Sequence, residues 1–200
     1  MQVFKYCSQC GGKTHMAVPK GDNKVRAICQ SCHHIFYDNP RIVAGTLPVY
    51  KDKVLLCKRA IEPRKGYWTL PAGFMENGES TEQAALRETY EEAHAHVVLE
   101  SLYASTSILH VNQVQLIYLA TLSRPEFGPG SESLEVALFD EAEIPWQDLA
   151  FTTITSALKQ YFADRKQGQG FALRHFELAG NQSLPQRVDI SEQAFIPEAD

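Results

Sequence analysis

The stretch Gly73 to Ala95, GFMENGESTEQAALRETYEEAHA, contains the pattern on which the fold prediction rests. Ser80 is followed three residues later by Gln83, which is the spacing of a capping box at the start of a helix. The residues that follow are good helix formers. We therefore predict a helix that begins at Ser80 or Thr81 and ends near Ala93.

This predicted helix has two chemically different faces. At about 100° per residue, Glu88, Glu91 and Glu92 fall within one arc. The opposite face is apolar and is expected to enter the core; it consists of Leu86, Tyr90 and Ala93. Carboxylates this close repel one another, and hard divalent cations such as Mg²⁺ prefer carboxylate oxygens as ligands. The acidic face indicates a metal site, with a plain solvated face as the alternative.

A longer pattern surrounds the helix: Gly73, five residues, Glu79, seven residues, Arg87-Glu88, two residues and Glu91-Glu92. It resembles the Nudix box, G-x5-E-x7-R-E-U-x-E-E-x-G-U, in which U is a bulky aliphatic residue. Every charged position of the box is present. The sequence departs from the box at three positions. Thr89 and Ala95 stand where bulky aliphatic residues are usual, and His94 stands where a glycine is usual.

Four of the five cysteines lie in residues 1–38, as Cys7-x2-Cys10 and Cys29-x2-Cys32. Two C-x2-C pairs at this distance predict a zinc ribbon with four thiolate ligands. So short a segment buries too little apolar surface to fold alone, whereas a structural zinc ion supplies roughly 10–16 kcal/mol of apparent binding energy. Two disulfides are the alternative, which a cytosolic environment disfavours.

Charge and hydropathy narrow the class of protein. The net charge of −5 argues against general nucleic-acid binding. Residues 1–40 contain five basic and two acidic residues, an excess too mild to indicate a nucleic-acid site, so we expect a structural or dimerising ribbon. No apolar run reaches the length of a signal peptide or a membrane span. We expect a cytoplasmic protein that does not bind membranes.

The rest of the chain indicates one further domain. The turn Asp38-Asn39-Pro40 marks its start. Strands are predicted at 42–50, 53–58, 97–109, 111–122 and 131–139, followed by a closing helix that ends near residue 163. We divide the chain into a ribbon at 1–38, a second domain at 39–163 and an extension at 164–200, which is either a packing arm or a loose tail.

Four residues outside the helix are further candidates for the site. Arg59, at a predicted strand end, either reaches a substrate phosphate or forms a surface ion pair. Trp68 either stacks on a flat base or packs beneath a loop. Glu132 and Glu135 follow the Pro/Gly-rich segment RPEFGPG and are candidates for a general base, with a solvated loop acid as the alternative for each.

The resemblance extends over roughly residues 1–162. A four-cysteine ribbon joined through Tyr37-Asp38-Asn39-Pro40 to a Nudix domain is similar to the NADH pyrophosphatases and to the plastid FAD and ADP-ribose pyrophosphatases of plants. The S-Q-P-W-P-F-P signature of the first group is absent from Ser105–His110, and residues 54–59, 68–73 and 131–135 look closer to the plant group. The resemblance implies an α/β fold, a Nudix α/β/α sandwich with a small N-terminal four-cysteine zinc ribbon.

Carried over position by position, the resemblance implies the metal ligands. Glu88 and Glu92 would be the principal ligands of Mg²⁺ or Mn²⁺, and Glu91 would join a second ion. A main-chain carbonyl of Ala72 or Gly73 would complete the metal shell.

The resemblance also implies the reaction. Arg87 would pair with Glu79 as a brace, and a carboxylate of the cluster or Glu135 would orient the attacking water. FAD would yield FMN and AMP, and ADP-ribose would yield AMP and ribose 5-phosphate. The expected partner is a small nucleotide diphosphate, and a homodimer is expected. The alternatives are an NADH pyrophosphatase, a hydrolase of nucleoside triphosphates, and a non-catalytic Nudix sensor whose ribbon contacts nucleic acid.

Overall fold

The structure, a computed structural model, describes residues 4–168 and 170–178. The chain divides into two compact units, Met1–Pro40 and Arg41–Asp200. Each unit has a hydrophobic core of its own. Among the described residues, no helix combines the length and the hydropathy needed to cross a membrane.

The first unit is a three-stranded antiparallel sheet in the order β1-β2-β3. Its strands are β1 (Thr14–Ala17), β2 (Arg26–Cys29) and β3 (Ile35–Phe36). Its buried apolar residues are few, and Phe4 stacks on Phe36 with ring centroids 4.8 Å apart. Because two of the buried core residues are cysteines, Cys7 and Cys29, this core depends on what the thiols bind.

The second unit is built on an eight-stranded mixed sheet whose main path runs β10-β5-β4-β9-β8-β11. Its elements are β4 (Arg41–Tyr50), β5 (Lys53–Arg59), β6 (Trp68–Thr69), β7 (Ala72–Phe74), α1 (Thr81–Ala93), β8 (Val97–Ile108), β9 (Gln113–Leu122), β10 (Ser133–Phe139), α2 (Thr152–Gln167) and β11 (Arg174–Leu178). The pairs β4/β9 and β8/β11 are parallel, while β6 pairs with β5 and β7 with β4.

The two helices cover opposite faces of the sheet. Successive side chains of a strand point to opposite sides, so two residues of β4 that are three positions apart identify the two faces. On β4, Ala44 packs in the cluster that contains Ala84 and Ala85 of α1. Leu47, three residues further along β4, packs in the cluster that contains Ile154 and Leu158 of α2. This arrangement confirms the predicted α/β/α sandwich.

Helix α1 has the predicted bounds, but its buried face differs from the prediction. Ser80 caps the helix in a capping box with Gln83, and His94 ends it in the left-handed conformation at φ 45°. Leu86 and Tyr90 were expected in the core, yet they are 39% and 49% exposed. That expectation is wrong, because the sheet covers a neighbouring arc of the helix. This arc consists of Ala84, Ala85, Thr89, Glu92 and Ala93.

The chain beyond residue 163 contributes to the second unit. Helix α2 continues to Gln167, and β11 then joins the edge of the sheet beside β8. Phe171 stacks on Tyr161 with ring centroids 5.2 Å apart, and Phe176 packs against the main core. The described part of the extension is therefore a packing arm. Phe195 of the extension lies outside the described residues.

Candidate active site and zinc site

A pocket of about 1150 Å³ lies in the second unit. It is bordered by α1, by β7, by the ends of β5, β8 and β9, and by the first residues of α2. These elements are far apart in the sequence and come together through the sheet. The pocket is therefore a product of the tertiary fold and is large enough for a nucleotide-sized ligand.

Six glutamates line this pocket: Glu88, Glu91 and Glu92 on α1, and Glu62, Glu76 and Glu132 outside this helix. Glu92 is buried, with 6% of its surface exposed. Among the described residues, the glutamates do not converge as tightly as a preformed metal cage. Arg87 lies among these carboxylates, with its Nη1 2.7 Å from Glu88 Oε1 and 3.0 Å from Glu91 Oε2.

Arg87 also joins the helix to the preceding loop. Its Nε and Nη2 donate to the two oxygens of Glu79 at 3.0 and 2.7 Å, a bidentate ion pair. Nη2 also donates to the carbonyl oxygen of Phe74 at 3.0 Å. The hydrogen bond from Arg87 is the main reason why the pKa of Glu79 is lowered. Arg87 thus holds α1, β7 and the intervening loop in one arrangement.

Burial disfavours the charged forms of two carboxylates in the cluster, Glu88 and Glu92. Burial, together with the charges of Glu88 and Glu132, raises the pKa of Glu92 to about 8, against the opposite effect of Arg59. Burial also raises the pKa of Glu88, against the effect of Arg87. Carboxylates whose charged form is disfavoured in this way fit divalent cations, which take carboxylate oxygens as ligands.

Gly73 allows the Glu88 carboxylate to lie against the main chain of β7. A Cβ atom at residue 73 would be 2.3 Å from Glu88 Oε2. The backbone amide of Ala72 lowers the pKa of Glu92, so this segment faces two of the three box carboxylates. The carbonyls at residues 72 and 73, proposed from the sequence as metal ligands, belong to that same stretch.

The loop after β9 caps the C-terminal end of α1, a contact that the sequence analysis missed. The amides of Gly128 and Gly130 donate to the carbonyls of Ala93 and Glu92 at 2.8 and 3.0 Å. A Cβ atom at Gly130 would overlap the Glu91 carbonyl oxygen at 1.6 Å. In the sequence, the glycines of RPEFGPG are the feature that indicates this contact, because glycine lets two backbones approach closely. This docking brings Glu132 to the pocket.

The remaining sequence candidates separate into one inside the pocket and two outside it. Arg59 lines the pocket, with its guanidinium carbon 5.3 Å from the ring centroid of Phe151. Trp68 is 8% exposed, packs edge-on against Phe139 in the core and does not line the pocket. Glu135 is exposed on β10, 3.6 Å from the Lys58 ammonium, and also lies outside the pocket.

The four N-terminal cysteines form a second candidate site. All four Sγ atoms lie within 4.8 Å of one another, and the contacts of Cys10 with Cys29 and Cys32 are 3.5 and 3.4 Å. Four sulfurs at the corners of a zinc tetrahedron lie about 3.8 Å apart when Zn–S is about 2.3 Å. Backbone amides of Cys32 and Ser31 lower the pKa of Cys29 to about 6. The backbone amide of His34 lowers the pKa of Cys32, but hydrogen bonds with the other thiols and burial outweigh it and raise that pKa to about 12. Cys29 is therefore the first of the two to become a thiolate. The donor set fits zinc.

Family models and solved structures agree with this geometry. Residues 5–38 match the model described as Nudix N-terminal, a zinc ribbon, and residues 39–163 match the NUDIX domain. A crystal structure of a NUDIX hydrolase from Nitrosomonas europaea has 50% sequence identity and a TM-score of 0.83, covering 88% of this chain and 100% of that one. An ADP-ribose pyrophosphatase from Streptococcus suis shares the fold at 21% identity and a TM-score of 0.56, covering 68% and 99% of the two chains.

Curated relatives include longer proteins. The NAD-capped RNA hydrolase NudC of Vibrio parahaemolyticus is 27% identical over 165 residues, which are 82% of this chain and 61% of that protein. The ADP-ribose pyrophosphatase of Methanocaldococcus jannaschii is 30% identical over 115 residues, 54% of this chain and 67% of that protein. The chain spans only 53–61% of the length of the first NudC relatives. Since the NUDIX model covers well over half of its length, this chain belongs to the Nudix family of hydrolases.

Proposed function

We propose that this protein is a Mg²⁺- or Mn²⁺-dependent pyrophosphohydrolase that cleaves the diphosphate of a substrate containing adenosine diphosphate, namely ADP-ribose or a nicotinamide dinucleotide. The observation that carries this proposal is the pocket in which Glu88, Glu92 and Glu132 face Arg59. The names of the relatives support the substrate class, because NAD and ADP-ribose share the adenosine diphosphate group. FAD, expected from the plant-like stretches, contains the same group but gains no support from these relatives.

The chemistry is the addition of one water across the diphosphate. The water oxygen forms a new bond to one phosphorus, the bridging P–O bond breaks, and the bridging oxygen leaves with the other phosphate. Divalent cations bound at Glu88, Glu91 and Glu92 would neutralise the diphosphate and lower the pKa of a bound water. We assign acceptance of the proton of the water to Glu132 or to a carboxylate of the box, all of which line the pocket.

The protein also supplies positive potential for the phosphates. Arg59 lines the pocket beside Phe151, and the first residues of α2, Thr152 and Thr153, line it as well. Helix α2 has no side-chain cap at Phe151, so its first amides are available to an anion. A diphosphate held between these groups and the carboxylates would be oriented for attack by water.

Removal of a NAD cap from RNA is a second candidate function. It is favoured by the similarity to proteins named NAD-capped RNA hydrolases, although this chain covers only part of their length. For this reason nucleic acid belongs among the possible partners, contrary to the expectation from net charge. We further propose that the four cysteines of the first unit bind one structural zinc ion and that the protein is a cytoplasmic homodimer.

The test is product analysis with purified protein, Mg²⁺ or Mn²⁺, and a panel of ADP-ribose, NADH, FAD, NAD-capped RNA and nucleoside triphosphates. We expect AMP together with ribose 5-phosphate or nicotinamide mononucleotide as the fastest products. FMN and AMP as the fastest products would restore the flavin assignment. Release of pyrophosphate from triphosphates would contradict the proposal, and tight binding without any product would favour the sensor. Zinc content and sedimentation of the same sample test the zinc ion and the dimer.

A further inference from the structure

One part of the pocket is formed by a face of the sheet rather than by charged groups. In the strand register, Val43 of β4 is opposite Gln115 of β9, so the two side chains lie on the same face. Gln113, two residues earlier on β9, is on this face too, and Ile108 and Leu178 continue its row across β8 and β11. All five residues line the pocket. We call this set the amide wall.

Gln115 is the unusual member of the amide wall. Its surface is 8% exposed, and among the described residues no group forms a hydrogen bond with its side-chain amide. A primary amide offers two donors and one acceptor. The amide atoms of Gln115 are not among the buried, unpaired side-chain atoms of the described residues, so they are open to the pocket. Since the side chain borders the pocket, its amide is available for hydrogen bonds with a ligand group that enters there.

The chemistry of the amide wall suits a heteroaromatic ring with a polar edge. Apolar side chains of Val43, Ile108 and Leu178 can pack against the face of a ring, and a few placed polar groups can fix its orientation. A glutamine amide pairs with adenine by accepting from the exocyclic amine and donating to a ring nitrogen. A carboxylate or phosphate, by contrast, would find no charged partner within the amide wall itself.

The amide wall also lies within reach of the carboxylates. Val43 of β4 pairs with Gln115 on one side and with Phe74 of β7 on the other. The backbones of Gln115 and Phe74 are therefore two strand spacings, about 10 Å, apart. Strand β7 in turn borders Glu88 through Gly73. A base at the amide wall and a diphosphate at the carboxylates therefore fit into one pocket.

We propose that Gln115, with Gln113 beside it, is the specificity-determining residue that recognises the adenine base of the substrate. The proposal rests on the proposed function for its choice of ligand, because adenine is the ring that all the proposed substrates share. Gln115 hydrogen-bonds to the exocyclic amine and to a ring nitrogen, and it takes no part in the chemical step.

The experiment measures binding by calorimetry, without turnover, on the full zinc-loaded chain. The ligands are AMP and the AMP analogue in which hydrogen replaces the exocyclic amine. We expect the unmodified protein to bind AMP about tenfold more tightly, because a site built around a hydrogen bond rejects the analogue that lacks it. Gln115→Met, which keeps the length of the side chain, should reduce this ratio to near one. Gln147→Met, an exposed control outside the pocket, should leave it unchanged.

Equal affinities in the unmodified protein, or a ratio that Gln115→Met leaves unchanged, would overturn the proposal. Nicotinamide mononucleotide that binds more tightly than AMP, and loses this advantage in Gln115→Met, would assign the amide wall to the other ring. If Gln115→Met does not fold, Gln115→Asn shortens the reach of the amide and should also lose the preference. Because binding is measured separately, hydrolysis of ADP-ribose decides the proposed function whichever way the ratio falls.

Discussion

The side-chain hydroxyls of Thr46 on β4 and Thr89 on α1 lie 2.6 Å apart in the interior of the second unit. Thr89 also donates to the carbonyl oxygen of Ala85 at 2.7 Å, so Thr46 is the donor between the two hydroxyls. Thr89 stands at a box position where an aliphatic residue is usual. The threonine on the neighbouring strand explains how a polar residue is accommodated there.

This pair predicts a coupled effect on stability. Thr89→Val would leave the buried hydroxyl of Thr46 unpaired, so we expect a loss of about 1–3 kcal/mol in the free energy of unfolding. The double variant Thr46→Val/Thr89→Val removes both hydroxyls and should recover much of that loss. Urea unfolding of both single variants and the double variant measures the coupling. Additive losses would show that the two hydroxyls do not depend on each other.

Gly73 predicts a loss of activity without a large loss of stability. In Gly73→Ala the new methyl group would meet the flexible end of Glu88, so the carboxylate moves while the backbone stays. Displacement of one such group is expected to lower kcat about ten- to hundredfold. Gly128→Ala is the matched control, since a Cβ atom there meets nothing within 4 Å. Equal activity in the two variants would contradict the placement of Glu88 in the site.

Glu92 is expected to be essential for turnover but not for folding. Glu92→Gln removes a charge that is disfavoured by burial, so the free energy of unfolding of the metal-free protein should not decrease. Its kcat should fall about 100-fold or more. Near-normal turnover would contradict the metal-site assignment. Glu135→Gln tests the sequence alternative, and because Glu135 pairs with Lys58 outside the pocket, we expect activity close to that of the unmodified protein.

Asp164 predicts a dependence of stability on acid pH. Its carboxylate is buried and accepts hydrogen bonds from Tyr103 at 2.9 Å, Gln160 at 2.7 Å and Arg174 at 2.9 Å. Burial alone would raise its pKa, but hydrogen bonds from Arg174, Gln160 and Tyr103 outweigh burial and lower it below 3.8. The unfolded state therefore binds the proton first, and the stability contributed by Asp164 is lost as the pH falls below this value.

Asp164→Asn should therefore lose about 1–3 kcal/mol at neutral pH and show a shallower loss of stability in acid. Thermal unfolding between acid and neutral pH measures both effects. Asp148→Asn replaces an exposed carboxylate and should follow the unmodified protein. A parallel pH dependence in Asp164→Asn and the unmodified protein would contradict the role of this carboxylate in joining α2, β8 and β11.

Removal of zinc should destabilise the first unit and leave the Mg²⁺ dependence of catalysis unchanged. Cys29→Ser removes a buried ligand, so the zinc content should fall from about one per chain to near zero. Cys57→Ala is the control, because Cys57 lies in the second unit and should leave the zinc content unchanged. A parallel loss of Mg²⁺ affinity in Cys29→Ser would contradict the independence of the two sites.

Several expectations about which residues are buried or line the pocket were wrong, because they were based on sequence spacing and not on tertiary contacts. Helical periodicity separates two faces of α1, but it does not say which arc the sheet will cover, and so Leu86 and Tyr90 are exposed. Loop carboxylates look alike in sequence, yet the docking of Gly130 against α1 brings Glu132 and not Glu135 to the pocket. Gln115 carries no signal in the apolar strand QVQLIYLATL, because its significance depends on its neighbours on β4 and β8.

The sequence by itself determined the features that depend on spacing along the chain. These are the capped helix with its carboxylates, the paired cysteines, and the five longest strands of the second unit, since each follows from a local periodicity or a short motif. Tertiary structure alone decided which distant residues share the pocket, including Arg59, Glu132 and Gln115. The physical reason is that these residues meet through strand register and loop docking, which are set by the packing of the whole unit and not by local propensity.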